Sequence, residues 1–98
     1  MKEFLDSLDK AFENKTRLGI MSALVVNDCL DFKALKELLG TTDGNLASHL
    51  KSLEKSKYVV YEKDFLDRKP NTTYYATELG REAFKKHLHA IEQLLKKL

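Results

Sequence analysis

Between Thr42 and Lys55 the chain carries Leu46, Leu50 and Leu53 at helical spacing, which leaves Gly44, Asn45, Ser48, Lys51, Ser52 and Lys55 on the opposite arc. At about 100° per residue the three leucines fall within a narrow arc that must face a core, so the polar arc is assigned without a further choice. It holds no acid and nothing bulky. Hydroxyls and amides reach base edges or phosphates, and lysine ammonium groups neutralise phosphate, so this face suits the major groove of a nucleic-acid duplex. Taken alone, a Ser/Lys-rich face reads more simply as a solvated helix surface. The neighbouring pattern changes that balance: Tyr58 to Phe65 and Asn71 to Ala76 are rich in Tyr, Val and Thr and flank the turn-forming stretch Leu66-Asp67-Arg68-Lys69-Pro70. They read as a β-hairpin whose tip sets Arg68 and Lys69 beside the same helix.

Other chemistries find less support. No Gly-rich phosphate loop, nucleophile elbow or metalloprotease His/Glu pair occurs, so the chain reads as a non-enzyme with no cofactor. His49 sits on the edge of the apolar arc, about 60° from its centre, which favours a packed or capping imidazole over a phosphate contact. His89 and Glu92 share a helix face, but His87 lies about 200° away from His89, too divergent for a metal set. Cys29 is the sole cysteine and has no internal disulfide partner, as expected of a reducing cytoplasm. It reads as a small apolar filler in a loop, without a second cysteine to resolve an oxidised thiol.

These residues need elements to hold them. Phe4, Leu5, Leu8, Ala11 and Phe12 predict one helix from about Lys2 to Glu13, with Asn14 capping a second, nearly all-apolar helix from Lys15 to Asn27. Gly19 inside that helix costs about 1 kcal/mol relative to Ala, which points to a close packing approach. Leu30-Asp31-Phe32 allows a very short strand. The helix-turn-helix spans about 33–56: Lys33 to Leu39 forms its first helix with Leu35, Leu38 and Leu39 inward, Gly40 is a left-handed stop, and Thr42 or Asp43 caps the second helix. The wing occupies about 58–76. A last helix over about 77–97 opens on Thr77, and Phe84, Leu88, Ile91, Leu95 and Leu98 alternate by four and three. That is the seam of a packed helix pair. With Phe4, Leu8 and Phe12 it reads as a dimer interface, the alternative being that the terminal helices pack on each other within one chain.

With 98 residues, the length fits one small domain. The net charge of +2 decides little, but its distribution is informative: Met1 to Phe32 has four Lys/Arg against six Asp/Glu, whereas Lys33 to Thr77 has eight against six. No run reaches the ~18 apolar residues of a membrane span, and the acidic N-terminus lacks a signal-peptide pattern.

Arg17-Leu18-Gly19-Ile20, Leu38-Leu39-Gly40-Thr41-Thr42-Asp43-Gly44-Asn45-Leu46, Ser48-His49-Leu50-Lys51-Ser52-Leu53-Glu54, Tyr58-Val59-Val60 and Thr72-Thr73-Tyr74-Tyr75-Ala76-Thr77 together resemble the MarR/ArsR-like winged-helix transcriptional regulators. The resemblance covers nearly the whole chain. It implies a mainly α fold with a small β-hairpin, a winged helix-turn-helix whose N- and C-terminal helices form a dimer interface. It further implies a cytoplasmic homodimer whose recognition helices enter successive major grooves of a pseudo-palindromic operator in double-stranded DNA, about 34 Å apart. Carried over by position, Asn45, Ser48, Lys51 and Ser52 contact DNA from the helix, with Lys55 on the same arc, and Arg68 and Lys69 from the wing; Thr42 and Arg17 are further phosphate candidates. Any small-molecule effector would bind between the winged core and the dimer helices, where the sequence shows no polar cluster. The chain departs from the family at Lys57, where Gly is usual and a left-handed residue costs about 1 kcal/mol. Asp67 and Asn71 also flank the basic pair, and Tyr75 stands in place of a frequent basic residue. A protein-binding winged-helix module and a purely structural dimer are the rival readings; the first needs aromatic or Arg anchors on the helix face, which Asn45, Ser48 and Ser52 do not offer.

Overall fold

A computed structural model describes residues 1–97, so Leu98, the last position of the expected seam, lies outside the described residues. In chain order the elements are α1 (Lys2–Asp6), a 3₁₀ turn (Lys10–Phe12), α2 (Lys15–Val26), β1 (Leu30–Asp31), α3 (Phe32–Leu39), α4 (Asp43–Lys55), β2 (Val59–Leu66), β3 (Lys69–Ala76) and α5 (Glu78–Lys96). The strands form one antiparallel sheet in the order β1-β3-β2, with Leu30 opposite Tyr74 and Val59 opposite Ala76. This is the winged helix-turn-helix architecture.

α2 runs through the centre. Ile20, Met21 and Leu24 are fully buried and meet Leu35 of α3, Leu46, Leu50 and Leu53 of α4, and Val59 at the start of the wing. Asn14 starts the helix by accepting the Thr16 and Arg17 amides. At its other end, Arg81 donates to the carbonyls of Leu24 and Val25 at 3.1 Å each, satisfying groups that the last turn leaves open. Gly19 has the expected close neighbour: a Cβ there would lie 2.7 Å from Leu39 Cδ2.

Several local expectations change. The first helix ends at Asp6, because Asp9 turns the chain by capping the 3₁₀ turn through the Ala11 amide. Leu38 is 62 % exposed and Cys29 is exposed, so neither fills the core. The hairpin turn is only Asp67-Arg68, with φ of 52° and 68°, so Lys69 and Pro70 belong to β3 and pair with Leu66 and Phe65. Positive φ at both central residues matches the right-handed twist of the strands. Lys57 adopts the left-handed conformation (φ 64°) despite not being Gly. That geometry lets Tyr58 N donate to the Leu53 carbonyl while Thr77 Oγ1 donates to the Lys57 carbonyl at 2.7 Å.

Candidate nucleic-acid interface

The turn before α4 fixes its direction. Gly40 closes α3 with φ 62°, and Thr42 Oγ1 accepts the Asn45 amide as the N-cap of α4. Lys36 pairs with Asp43 at 2.9 Å across the turn. With Leu46, Leu50 and Leu53 against α2, the residues Ser48, Lys51, Ser52 and Lys55 are exposed together and line a shallow concavity of about 260 Å³. Gly44 and Ala47 are exposed on the same helix. The surface is cationic and rich in hydroxyls.

Besides Thr42, whose hydroxyl caps α4, two more of the sequence-derived contact residues are engaged inside the chain. Arg17 Nε donates to the Ala11 carbonyl at 2.7 Å, Nη1 donates to His49 Nδ1 at 3.0 Å and Nη2 donates to the Lys10 carbonyl at 3.4 Å. The guanidinium therefore braces α4 against the N-terminal segment, and His49 is a packed imidazole, as its position suggested, here accepting from Arg17. Asn45 Nδ2 donates to Thr16 Oγ1 at 3.0 Å and to Thr41 Oγ1 at 2.7 Å. In this arrangement only Oδ1 remains for a base. Lys15, Thr16 and Thr41 border the same edge of the interface in an open cleft of about 490 Å³. Sequence reading missed them, because Thr16 meets Asn45 from 29 positions away.

On the wing, Arg68 lies in the turn and Lys69 opens β3, with Asp64 and Asp67 close by in sequence. Phe65 and Leu66 beside them are 73 % and 61 % exposed.

The terminal helices present a different surface. Phe12 is 2 % and Phe84 5 % exposed, and their rings meet edge to face at 5.2 Å within the chain. Phe4 and Leu8 are half-buried, whereas Leu5, Leu88, Ile91 and Leu95 stay exposed. His87 is buried and accepts the Asp9 amide at 3.0 Å, while His89 is exposed, so the two imidazoles do point apart. Asp9 also accepts the Tyr58 hydroxyl at 2.6 Å, and this bond to a carboxylate, with burial, pushes the phenol up to about 12. Next to it, Asp6, Asp9, Lys10, Tyr58, Glu82 and Lys86 border an open cleft of about 550 Å³. This is the polar cluster that sequence reading did not find, assembled from three separated segments. No helix among the described residues is long and apolar enough to cross a membrane.

Comparison with known proteins agrees with this geometry. Residues 16–95 match the family described as winged helix DNA-binding domain. An uncharacterized protein of Methanocaldococcus jannaschii, MJ0432, is 37 % identical over 89 residues, covering 91 % of this chain and 97 % of that one. The structure of a transcriptional regulator homologue from Pyrococcus horikoshii OT3 superposes with a TM-score of 0.89 at 31 % identity, covering 99 % of this chain and 97 % of the other. A MarR-family transcriptional regulator from Silicibacter pomeroyi shares the fold at a TM-score of 0.69 and 18 % identity, with 95 % of this chain and 64 % of that one aligned.

Proposed function

We propose, because the chain belongs to the family of winged helix DNA-binding domains, that this DNA-binding regulator acts as a homodimer on a pseudo-palindromic operator. The observation that carries the reading is the outer face of α4, where Ser48, Lys51, Ser52 and Lys55 are exposed together while the leucines opposite them are buried. A helix of this kind presented from a compact core fits a major groove. Lys51 and Lys55 supply salt-dependent attraction to phosphate. Ser48 and Ser52 supply base discrimination, about 1–3 kcal/mol for each good contact.

Dimerisation is proposed through α5, where Leu88, Ile91 and Leu95 recur by three and four and remain exposed, with Leu5 of α1 also exposed. Phe12 and Phe84 are buried against each other within the chain and take no direct part in that surface. The wing sets Arg68 and Lys69 along the backbone or minor groove. We place a small-molecule effector site in the cleft beside Asp9 and Tyr58, where acidic, basic and phenolic groups meet. The rival protein-binding module lacks its anchors, since α4 exposes no aromatic side chain or Arg.

The test is selection of genomic fragments by the purified protein at near-physiological salt, followed by sequencing. A two-fold-symmetric motif with half-sites about one helical turn apart is the expected result. Uniform recovery of all sequences would refute operator recognition and favour the protein-interaction module.

A further inference from the structure

The hydrogen bonds around Asn45 run in one direction, and the direction determines what the surrounding threonines can bind. Its side-chain amide donates to Thr16 Oγ1 at 3.0 Å and to Thr41 Oγ1 at 2.7 Å, and its backbone amide donates to Thr42 Oγ1 at 3.2 Å. A hydroxyl has two acceptor lone pairs and one donor hydrogen. Each of these three threonines therefore accepts from Asn45 and keeps its own O–H free, and among the described residues none of the three hydroxyls donates to another protein group. All three border the open cleft of about 490 Å³, as does the exposed Lys15. The carboxylate next to Thr42 in sequence, Asp43, is already paired with Lys36 at 2.9 Å.

We infer that Thr16, Thr41, Thr42 and Lys15 form a clamp for a DNA backbone phosphate, and that Asn45 is its positioning residue rather than a base reader. The inference rests on α4 being the DNA-facing helix. A phosphodiester offers only acceptors, so three uncommitted O–H donors and one ammonium complement it, whereas a base edge presents donors as well. Both amide hydrogens of Asn45 are engaged, which removes the paired donor and acceptor that an asparagine needs to read adenine. The clamp lies at the start of α4, beside Ser48 rather than in place of it. It holds the register in which Ser48 and Ser52 meet the bases.

The experiment compares binding to the duplex recovered by fragment selection with binding to a scrambled duplex of equal length. T16V/T41V keeps shape while removing two hydroxyls, and thermal melting checks that each variant is folded. T16V/T41V and Asn45→Ala are each expected to weaken binding to both duplexes by about three- to tenfold per half-site, leaving the ratio between them unchanged. Adding Asn45→Ala to T16V/T41V should weaken binding by less than about twofold more, because the amide acts through those hydroxyls. Lys15→Ala should flatten the salt dependence by about 0.9 per protomer. A phosphate whose ethylation blocks the wild type should cease to matter in T16V/T41V. The inference is overturned if Asn45→Ala collapses the ratio while T16V/T41V binds normally, or if the ethylation pattern is unchanged. Threonine-dependent binding of inorganic phosphate by the free protein at sub-millimolar concentration would overturn it too, by making the cleft a free-anion site. A wild type that binds neither duplex would overturn the functional reading itself, a result distinct from both.

Discussion

Asp9 and Asn45 each gather polar partners from distant parts of the chain, and their surroundings differ in what they leave unused. Around Asp9 the carboxylate accepts Ala11 N and Tyr58 Oη, its own amide donates to His87, and Phe12 stacks on Tyr58 at 5.4 Å. That network is closed, its hydrogen bonds ending within the chain against an aromatic backing, while the cleft beside it stays open. Around Asn45 the neighbouring hydroxyls are half-buried or exposed, and among the described residues none of them donates to a protein acceptor. A polar network that completes itself in a partly buried place stabilises a junction; one that stays incomplete at the surface leaves donors that water or a ligand can take. Both regions reach α4, since the carbonyls of Lys10 and Ala11 hold Arg17, which holds His49.

Substitutions that separate the two regions should show their largest effects on stability at the closed one. Gly80→Ala should cost about 3 kcal/mol or more in urea unfolding, because a Cβ there would lie 2.2 Å from the Tyr58 carbonyl oxygen and both partners are backbone-fixed. Full wild-type stability in that variant would mean that the α5–β2 junction is not tight. Tyr58→Phe should cost about 1–2 kcal/mol, with DNA affinity little changed. Its pH signature is specific. The folded phenol titrates near 12 against an ordinary 10.0, so its contribution is complete below 10 and disappears as pH rises through the folded value. The wild type should therefore lose this component between about pH 10 and 12 and Tyr58→Phe should lack it, as alkaline denaturation curves would reveal. At the open region the stability effects shrink to within about 0.5 kcal/mol for Lys51→Ala and Ser48→Ala. Lys51→Ala should instead weaken binding to every sequence and flatten the salt slope by about 0.9 per protomer. Ser48→Ala should lower the preference for the operator with little change in slope. Salt titrations showing the reverse assignment would dissolve that division of labour.

The parts of this molecule specified by near neighbours were legible in the sequence. Leu46, Leu50 and Leu53 announce the buried face of α4, Gly40 and Thr42 mark the turn, and Tyr/Val/Thr-rich segments announce the wing. Ser48, Lys51, Ser52 and Lys55 followed from the same periodicity. What escaped depends on partners far along the chain. The first helix breaks where Asp9 meets Tyr58 and His87, 49 and 78 positions away, and no local propensity encodes those contacts. The same holds for Asn45 with Thr16, and for Arg17 with His49, 32 positions on. Leu38 follows the helical period yet faces outward, because apolar spacing does not state how wide a core is. Phe12 and Phe84 read from the sequence as dimer-interface residues, with packing inside one chain as the alternative, and the structure pairs them within the chain.

The most direct test of sequence-specific recognition is a salt titration from roughly 50 to 200 mM comparing the selected operator duplex with its scrambled counterpart. Two steep and nearly parallel log–log lines, separated by about a thousandfold or more in affinity, are the predicted result. Coincident lines, or binding to the operator that does not change with salt, would contradict the account.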